Sequence, residues 1–235
     1  MEIRKITYYD KDVVLEATVA IPQGGQKKPL VMIFPSWEGK NAFAEKKATE
    51  LAKLGFIGCA LDPYGIGKLG KNKEECSLLM GPLIENRENL HRRVLASLSL
   101  FQKISEADIE KVAVIGFCFG GLCALDLARE GALLKGVVSF HGLLSTPFKN
   151  SSTPFHSKVL VLHGDKDPMV SKEDVASFCA EMEERSVDFQ VHVFGNTMHA
   201  FTNPEANDPD FGTVYNELAD KRSWILLKAF LEEIF

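Results

Sequence analysis

A cysteine flanked by glycines is the first feature of this sequence that could do chemistry. The run GFCFGG (116–121) follows an apolar stretch, KVAVIG, and opens a helical one, LCALDLAR. This is the pattern of a nucleophile elbow, with Cys118 where serine is commoner. Such a sharp strand-to-helix turn leaves no room for a side chain at the positions two residues before and two residues after the nucleophile. It also places the thiol at a helix N-terminus, where the helix dipole favours the thiolate. The N–H of Phe119 is then placed to bind an oxyanion.

The alternative interpretation of Cys118 is a small, inert, buried residue in a glycine-rich turn, which is common for cysteine. The strand–turn–helix context favours the nucleophile. Cys123 is the contrast, because it lies inside the predicted helix and is expected to belong to the core.

A nucleophile needs a base, and the base needs an acid that orients it. In this fold type the chain order is nucleophile, acid, histidine. HGDKDPMV (163–170) follows an apolar strand and offers Asp165 and Asp167, of which we favour Asp167 because Asp165 is suited to stabilising the turn. His199 lies in a loop after the next strand. The remaining histidines are expected to be packed or solvated: His91, His141, His156, His163 and His192.

On these residues the chain resembles the dienelactone hydrolase family of α/β-hydrolases. The matching segments occur in order across most of the chain: WEG (37–39), GFCFGG (116–121), HGDKDP (163–168) and MHAF (198–201).

The resemblance implies a catalytic triad, a glutamate that activates the thiol and a second oxyanion amide. By position, the triad is Cys118, Asp167 and His199, the glutamate is Glu38, and the amide is that of Gly39. Read alone, Glu38 is an ordinary loop carboxylate.

The substrate pocket departs from characterised members of the family. They carry a carboxylate-binding arginine four residues after the histidine, where this chain has Asn203. The resemblance therefore implies the fold and the triad, not dienelactone as substrate. Trp37 and Tyr64 either line the pocket or cap the core, and Arg87 either reaches the site or lies on a solvated helix face.

The chemistry predicted from a cysteine is hydrolysis of a small ester or lactone through a thioester acyl-enzyme. A thiol has a pKa of about 8.5, against about 15.7 for water as a guide to alcohols, so the intermediate expels thiolate unless the other leaving group is stabilised. We therefore expect activated esters and enol lactones to be favoured over amides and plain alkyl esters.

Two other classes of function compete with this one. GIGKLGKN (65–72) matches most of a phosphate-binding loop, but Asn72 stands where Ser or Thr would bind Mg²⁺. A nucleotide-binding protein is therefore a weak alternative. The other alternative is a non-hydrolytic or redox-active thiol protein on a hydrolase scaffold.

Short apolar strands that alternate with helices position these residues. This pattern predicts an α/β-hydrolase fold, with a mostly parallel sheet covered on both faces and an antiparallel N-terminal edge. No linker divides the chain, so we predict one domain over residues 1–235. The predicted strands are 3–9, 13–21, 30–34, 56–61, 112–116, 136–140, 158–162 and 189–194, and the helices are 42–54, 83–103, 119–129, 172–185 and 214–234.

Composition excludes several classes of protein. The 235 residues are 46% hydrophobic and 25% charged with a net charge of −5, which is ordinary for a globular chain and gives no reason to expect a nucleic acid or membrane partner. The five cysteines form no CxxC pair and no disulfide framework, and no metal-ligand spacing or cofactor motif is convincing. We expect a cytoplasmic location without a signal peptide, no metal, no cofactor, and a monomer or weak dimer.

Overall fold

Eight strands of the described residues form one mixed sheet. The computed structural model describes residues 1–146 and 153–235. The strands of this sheet are β1 (Glu2–Asp10), β2 (Val13–Ile21), β3 (Lys28–Phe34), β4 (Ile57–Ala60), β5 (Ala107–Phe117), β6 (Gly136–Phe140), β7 (Lys158–Gly164) and β8 (Phe189–Phe194). Their spatial order is β1-β2-β4-β3-β5-β6-β7-β8. The pairs β1–β2 and β2–β4 are antiparallel and the rest are parallel, so the predicted fold class is confirmed.

Helices cover both faces of this sheet. Those in the described residues are α1 (Ala42–Lys53), α2 (Lys73–Glu85), α3 (Arg87–Ala96), α4 (Phe119–Arg129), α5 (Lys172–Glu184) and α6 (Glu217–Ile234). Successive residues of β3 enter different cores: Leu30 and Met32 pack on the side of α3 and α4, and Val31 and Ile33 on the side of α1 and α6. Each such aliphatic side chain contributes about 1.5–3 kcal/mol by burial. All eight strands join one sheet, and the single domain over residues 1–235 stays our prediction.

The long helix predicted over 83–103 was wrong. The chain instead forms α2, α3 and a 3-10 turn over Ser97–Gln102. Asn86 interrupts the helix with φ −120° and ψ 87°, and its side chain accepts a hydrogen bond from Asn89 N, which caps α3. Residues 64–82 are rich in Gly and Lys, a composition that predicts a loop, but they contain most of α2, which Asn72 caps by accepting a hydrogen bond from Glu75 N.

The C-terminal helix begins later than predicted. Thr213–Val214 (β10) instead pairs with Asn207–Asp208 (β9) in a small antiparallel hairpin. Asn216 then caps α6 by accepting a hydrogen bond from Ala219 N at 3.0 Å. In residues 1–146 and 153–235, no helix is long and apolar enough to cross a membrane.

Candidate active site

Cys118 occupies a strained turn between β5 and α4. Its backbone has φ 54° and ψ −119°, and its N–H donates to the carbonyl of Phe140 at 3.0 Å. A left-handed φ at a non-glycine residue costs about 1–3 kcal/mol and persists where the surrounding structure enforces it. Phe119 is the first residue of α4, so its N–H is among those that a helix leaves unpaired at its N-terminus.

Close backbone contacts enforce this turn. A Cβ at Gly116 would lie 1.9 Å from the carbonyl oxygen of Gly120, and a Cβ at Gly120 would lie 2.1 Å from that of Phe34. Neither contact can be relieved by moving a side chain. The two glycines are therefore required by the packing of β3, β5 and α4, as the elbow pattern predicts.

His199 and Asp167 meet above the carboxyl ends of β7 and β8. His199 Nδ1 lies 2.7 Å from Asp167 Oδ2, and both residues are buried. The other carboxylate oxygen of Asp167 accepts a hydrogen bond from Met169 N at 2.8 Å, which fixes the carboxylate plane. Asp165, the rejected candidate, instead lies within ion-pair distance of exposed Lys172.

The backbone of His199 is held from both sides. Its N–H donates to Gly212 O at 3.0 Å and its carbonyl accepts from Val214 N at 3.1 Å, so the β9–β10 hairpin fixes its height above the sheet. Ala200 follows with φ 55°, which turns the chain sharply after the histidine.

The electrostatics couple His199 to Cys118. Burial disfavours the charged imidazole, but the negative charge of the Cys118 thiolate and the hydrogen bond to Asp167 outweigh it and raise the pKa of His199 to about 10. Within the described residues, Nε2 is buried and makes no well-oriented hydrogen bond. Such bonds are often poorly aligned before a substrate is bound. The arrangement can hold a thiolate–imidazolium pair.

Glu38 and Gly39 follow β3 at the same edge. Glu38 Oε2 accepts hydrogen bonds from Asn41 Nδ2 at 2.7 Å and Ser36 Oγ at 3.0 Å, while the residue lines the same cavity as Cys118. The Gly39 N–H donates to Ser36 O at 3.0 Å. The oxyanion role of Gly39 stays a prediction, and in this structure its amide is used to close the turn.

A cavity of about 360 Å³ opens beside Cys118 and His199. Its wall is mainly apolar and aromatic, and Trp37 and Phe211 stack in it with ring centroids 5.7 Å apart. Among the described residues, no lysine or arginine lines it. The volume suits a small organic ligand, and the wall suits a neutral one.

The four predicted pocket residues divide into two pairs. Trp37 and Asn203 line the cavity. Tyr64 is buried behind it, where its hydroxyl donates to Trp37 O at 2.8 Å and its ring stacks on Phe119. Arg87 does not reach the site, since its guanidinium is held by buried Asp126 at 2.6 Å.

Sequence reasoning missed several cavity residues. His141 follows β6 at the carboxyl edge of the sheet, a position that could have marked it. Thr202 hydrogen bonds to it. Met80 and Phe211 come from α2 and from the loop between β9 and β10, neither of which was predicted.

The 65–72 loop lines a different cavity from Cys118. Where the loop meets α2, Glu75 N donates to Asn72 Oδ1 at 2.8 Å and Lys71 N donates to Glu75 Oε2 at 3.0 Å. Side chains of the protein therefore already bind these two amides, which a phosphate-binding loop would offer to its ligand. Across residues 1–146 and 153–235, no group of three or more His, Cys, Asp or Glu side chains could hold a metal ion.

Comparisons with known proteins bear on the family and the fold. A model of the dienelactone hydrolase family matches residues 15–235. The crystal structure of a dienelactone hydrolase-like promiscuous phosphotriesterase from metagenomic libraries superimposes with a TM-score of 0.95 at 34% identity, over 100% of this chain and 98% of that one. An uncharacterized Caenorhabditis elegans protein is 40% identical over 62% of this chain and 94% of its own length. A Bradyrhizobium sp protein named as a 2-oxo-3-(5-oxofuran-2-ylidene)propanoate lactonase is 25% identical over 88% and 85% of the two chains.

Proposed function

Because the chain belongs to the dienelactone hydrolase family and is a carboxylic-ester or lactone hydrolase, we propose that Cys118, His199 and Asp167 are its catalytic triad. The observation that carries this proposal is the 2.7 Å contact between His199 Nδ1 and Asp167 Oδ2 beside a cysteine on a strained elbow. The contact fixes the tautomer and orientation of the imidazole, which leaves Nε2 for the thiol and the substrate.

The reaction proceeds in two halves. The Cys118 thiolate attacks the carbonyl carbon, the Phe119 N–H binds the developing oxyanion, and His199 gives its Nε2 proton to the departing oxygen. The product of this half is a thioester on Cys118. His199 then takes a proton from water, the hydroxide attacks the thioester, and the thiolate leaves with the acid product.

Glu38 is placed to act on the thiol side of the same cavity. We propose that it assists deprotonation of Cys118, with Ser36 and Asn41 holding its carboxylate in the free enzyme. For the Gly39 amide to bind an oxyanion, it must first leave the Ser36 carbonyl, so Phe119 is the donor that needs no rearrangement.

The substrate that the cavity supports is a small, neutral ester or lactone with a stabilised leaving group. A carboxylate in the substrate would meet Glu38 and a mainly apolar wall to which the described residues contribute no lysine or arginine. A thioester intermediate forms productively only when the other leaving group is a weak base, as in an aryl ester or an enol lactone.

The test is release of p-nitrophenol from short acyl p-nitrophenyl esters. We expect Cys118→Ala to lose at least about 1000-fold in kcat, because no other group can form the acyl-enzyme. Cys179→Ala, which changes a cysteine on α5 outside the cavity, is the matched control and should retain wild-type rates. Equal rates in wild type and Cys118→Ala would reject the triad. Thiol oxidation coupled to turnover without ester hydrolysis would favour the redox alternative.

The choice of cysteine has its own test. Cys118→Ser should lose more rate on activated esters than on plain alkyl esters, since the easily expelled thiolate depends more than an alkoxide on a good leaving group in the substrate. If Cys118→Ser matched wild type on alkyl esters and exceeded it on activated ones, the leaving-group argument would fail.

A second candidate activity is thiolate attack on a neutral phosphotriester. The phosphotriesterase named above, at 34% identity over the whole chain, supports it, and so does the uncharged character of most of the cavity wall. Diethyl p-nitrophenyl phosphate should release p-nitrophenol with wild type and not with Cys118→Ala. A single stoichiometric burst would show that the Cys118 thiolate attacks the phosphotriester but is not regenerated, and would reject catalytic phosphotriester hydrolysis.

A further inference from the structure

A second histidine beside the proposed triad has no part in the reaction described above. His141 directly follows β6, lines the cavity and is only 2% exposed. Its φ is 39°, in the left-handed region that glycine adopts far more easily. A histidine is thus kept in a backbone conformation that disfavours it, and such outliers gather at functional sites.

His141 bridges the sheet edge and the turn that carries His199. Its N–H donates to Leu162 O at 2.8 Å, which anchors its backbone to β7. Its Nε2 lies 2.8 Å from the hydroxyl oxygen of buried Thr202. The His141 and His199 ring centroids are 5.1 Å apart at an interplanar angle of 66°. Phe201 packs edge-to-face against the His141 ring, with the two centroids 5.0 Å apart.

The charge of His141 suits this position. Burial and the neighbouring His199 lower the pKa of His141 well below its usual value, and His163 on β7 acts in the same direction. His141 therefore stays neutral while His199 is charged, and the two rings do not repel. Asp167 and Cys118 face His199, and Glu38 is the carboxylate on the cavity wall.

Resting on the proposed function, we propose that His141 is a positioning residue: through Thr202 and its ring contact, it holds the His199 imidazole so that Nε2 is directed at Cys118. It does not act as a second base. Its Nε2 is occupied by Thr202, and no carboxylate is hydrogen bonded to either ring nitrogen among the described residues.

The experiment measures thiolate formation as well as catalysis. His141→Asn keeps a residue that tolerates a left-handed backbone, His141→Phe keeps a ring, and Thr202→Val removes only the hydroxyl partner. For each variant, kcat and KM on a p-nitrophenyl ester are measured, together with the rate of Cys118 alkylation by iodoacetamide from about pH 5 to 9. His192→Gln, on β8 and outside the cavity, is the control.

We expect the His141 variants to lose about 10- to 100-fold in kcat with KM within about twofold, as for a catalytic group displaced by about 1 Å. The dependence of Cys118 alkylation on pH should change in the same variants, because His199 is no longer held against the thiol. Thr202→Val should act in the same direction. The double variant Thr202→Val with His141→Asn should be little worse than His141→Asn alone, because both break one link.

Unchanged kcat and alkylation profiles in folded His141→Asn and Thr202→Val would overturn the proposal. A rise in KM alone would also overturn it, since it would make His141 a substrate contact. Far-UV circular dichroism and Tm identify any variant that fails to fold, and Thr202→Val leaves the backbone at 141 untouched. If wild type hydrolysed no ester, the proposed function would fail, yet the alkylation profiles would still decide whether His141 directs His199 at Cys118.

Discussion

Two walls of the cavity are built in different ways. The wall that carries Cys118 rests on main-chain contacts, where Gly116 and Gly120 approach carbonyl oxygens too closely for any Cβ. A second wall is formed by α2 and the β9–β10 hairpin, and side chains join the two: Lys73 Nζ lies 2.6 Å from Asp208 Oδ2 and 4.2 Å from the ring centroid of Phe211. The difference suggests that the fold fixes the reacting atoms, while surface side chains adjust what fits against them.

The largest effect is expected where the first wall is broken. In Gly116→Ala, the new Cβ would lie 1.9 Å from Gly120 O, so the elbow must open or the strand must shift. We expect a loss of more than about 3 kcal/mol in the free energy of unfolding, or no soluble protein at all. Urea unfolding measures it.

The control for this variant is Gly195→Ala. A Cβ at Gly195 would meet no atom within 4 Å, and its backbone is not left-handed, so its unfolding midpoint should stay close to that of wild type. Equal midpoints for Gly116→Ala and Gly195→Ala would show that the elbow is not held by backbone contacts.

The same difference explains which parts of the molecule could be predicted from sequence. The elbow around Cys118 can be predicted from the sequence, because local geometry requires its glycines and their spacing is visible in the chain. The parallel strands are visible for a similar reason, since a strand buried on both faces must be continuously apolar.

The wall formed by α2 and the β9–β10 hairpin, the side-chain wall, is harder to predict from the sequence. Gly and Lys before α2 predict a loop there, and only Asn72, a residue type that commonly caps helices, indicates that a helix begins. The pairing of Lys73 with Asp208 joins residues far apart in the chain, and no local pattern encodes it. For the same reason Arg87 was considered for the pocket, when a buried carboxylate on α4 holds it elsewhere.

The second prediction tests whether the side-chain wall governs specificity. Phe211→Ala removes the ring that stacks on Trp37 and enlarges the cavity. We expect kcat/KM for aryl esters to fall about 10-fold through KM, the size of effect that lost apolar contact in a pocket produces. Phe211→Leu, which keeps an apolar side chain, should lose less. A fall in kcat with altered Cys118 alkylation would show instead that the two walls are not independent.

The third prediction concerns how folding stability depends on pH through His141, which lines the cavity with Cys118. His141 has a lowered pKa in the folded state, so below its unfolded value of about 6.5 the unfolded chain binds a proton that the folded chain does not. The contribution of His141 to folding stability is then complete above about pH 6.5 and falls by up to about 1.4 kcal/mol per pH unit below it. His163, lowered mainly by burial, has the same sign.

The measurement compares wild type with His141→Phe by urea unfolding at about pH 7.5 and pH 5.5. Phe cannot be protonated, so the free energy of unfolding of the variant should fall less between the two pH values. Equal losses in the two proteins would mean that His141 is protonated in the folded state, which its burial beside His199 argues against.

The smallest effect is expected at the rim, the exposed Lys73–Asp208 ion pair beside Phe211. Lys73→Met removes an ion pair whose side chains are 51% and 38% exposed, and pairs this exposed contribute little because water screens them. We expect Tm to shift by no more than about 2 °C and kcat to stay within about twofold. Only KM for aryl esters should rise, by about threefold, because Phe211 loses the cation that rests on its ring. Asp208→Asn separates the two contacts: it breaks the ion pair but leaves Lys73 free to stay on the ring, so KM should rise less than in Lys73→Met. If either rim variant lowered kcat as strongly as a His141 variant does, the rim would be helping to hold His199 through the β9–β10 hairpin, and the two walls would be one mechanical unit.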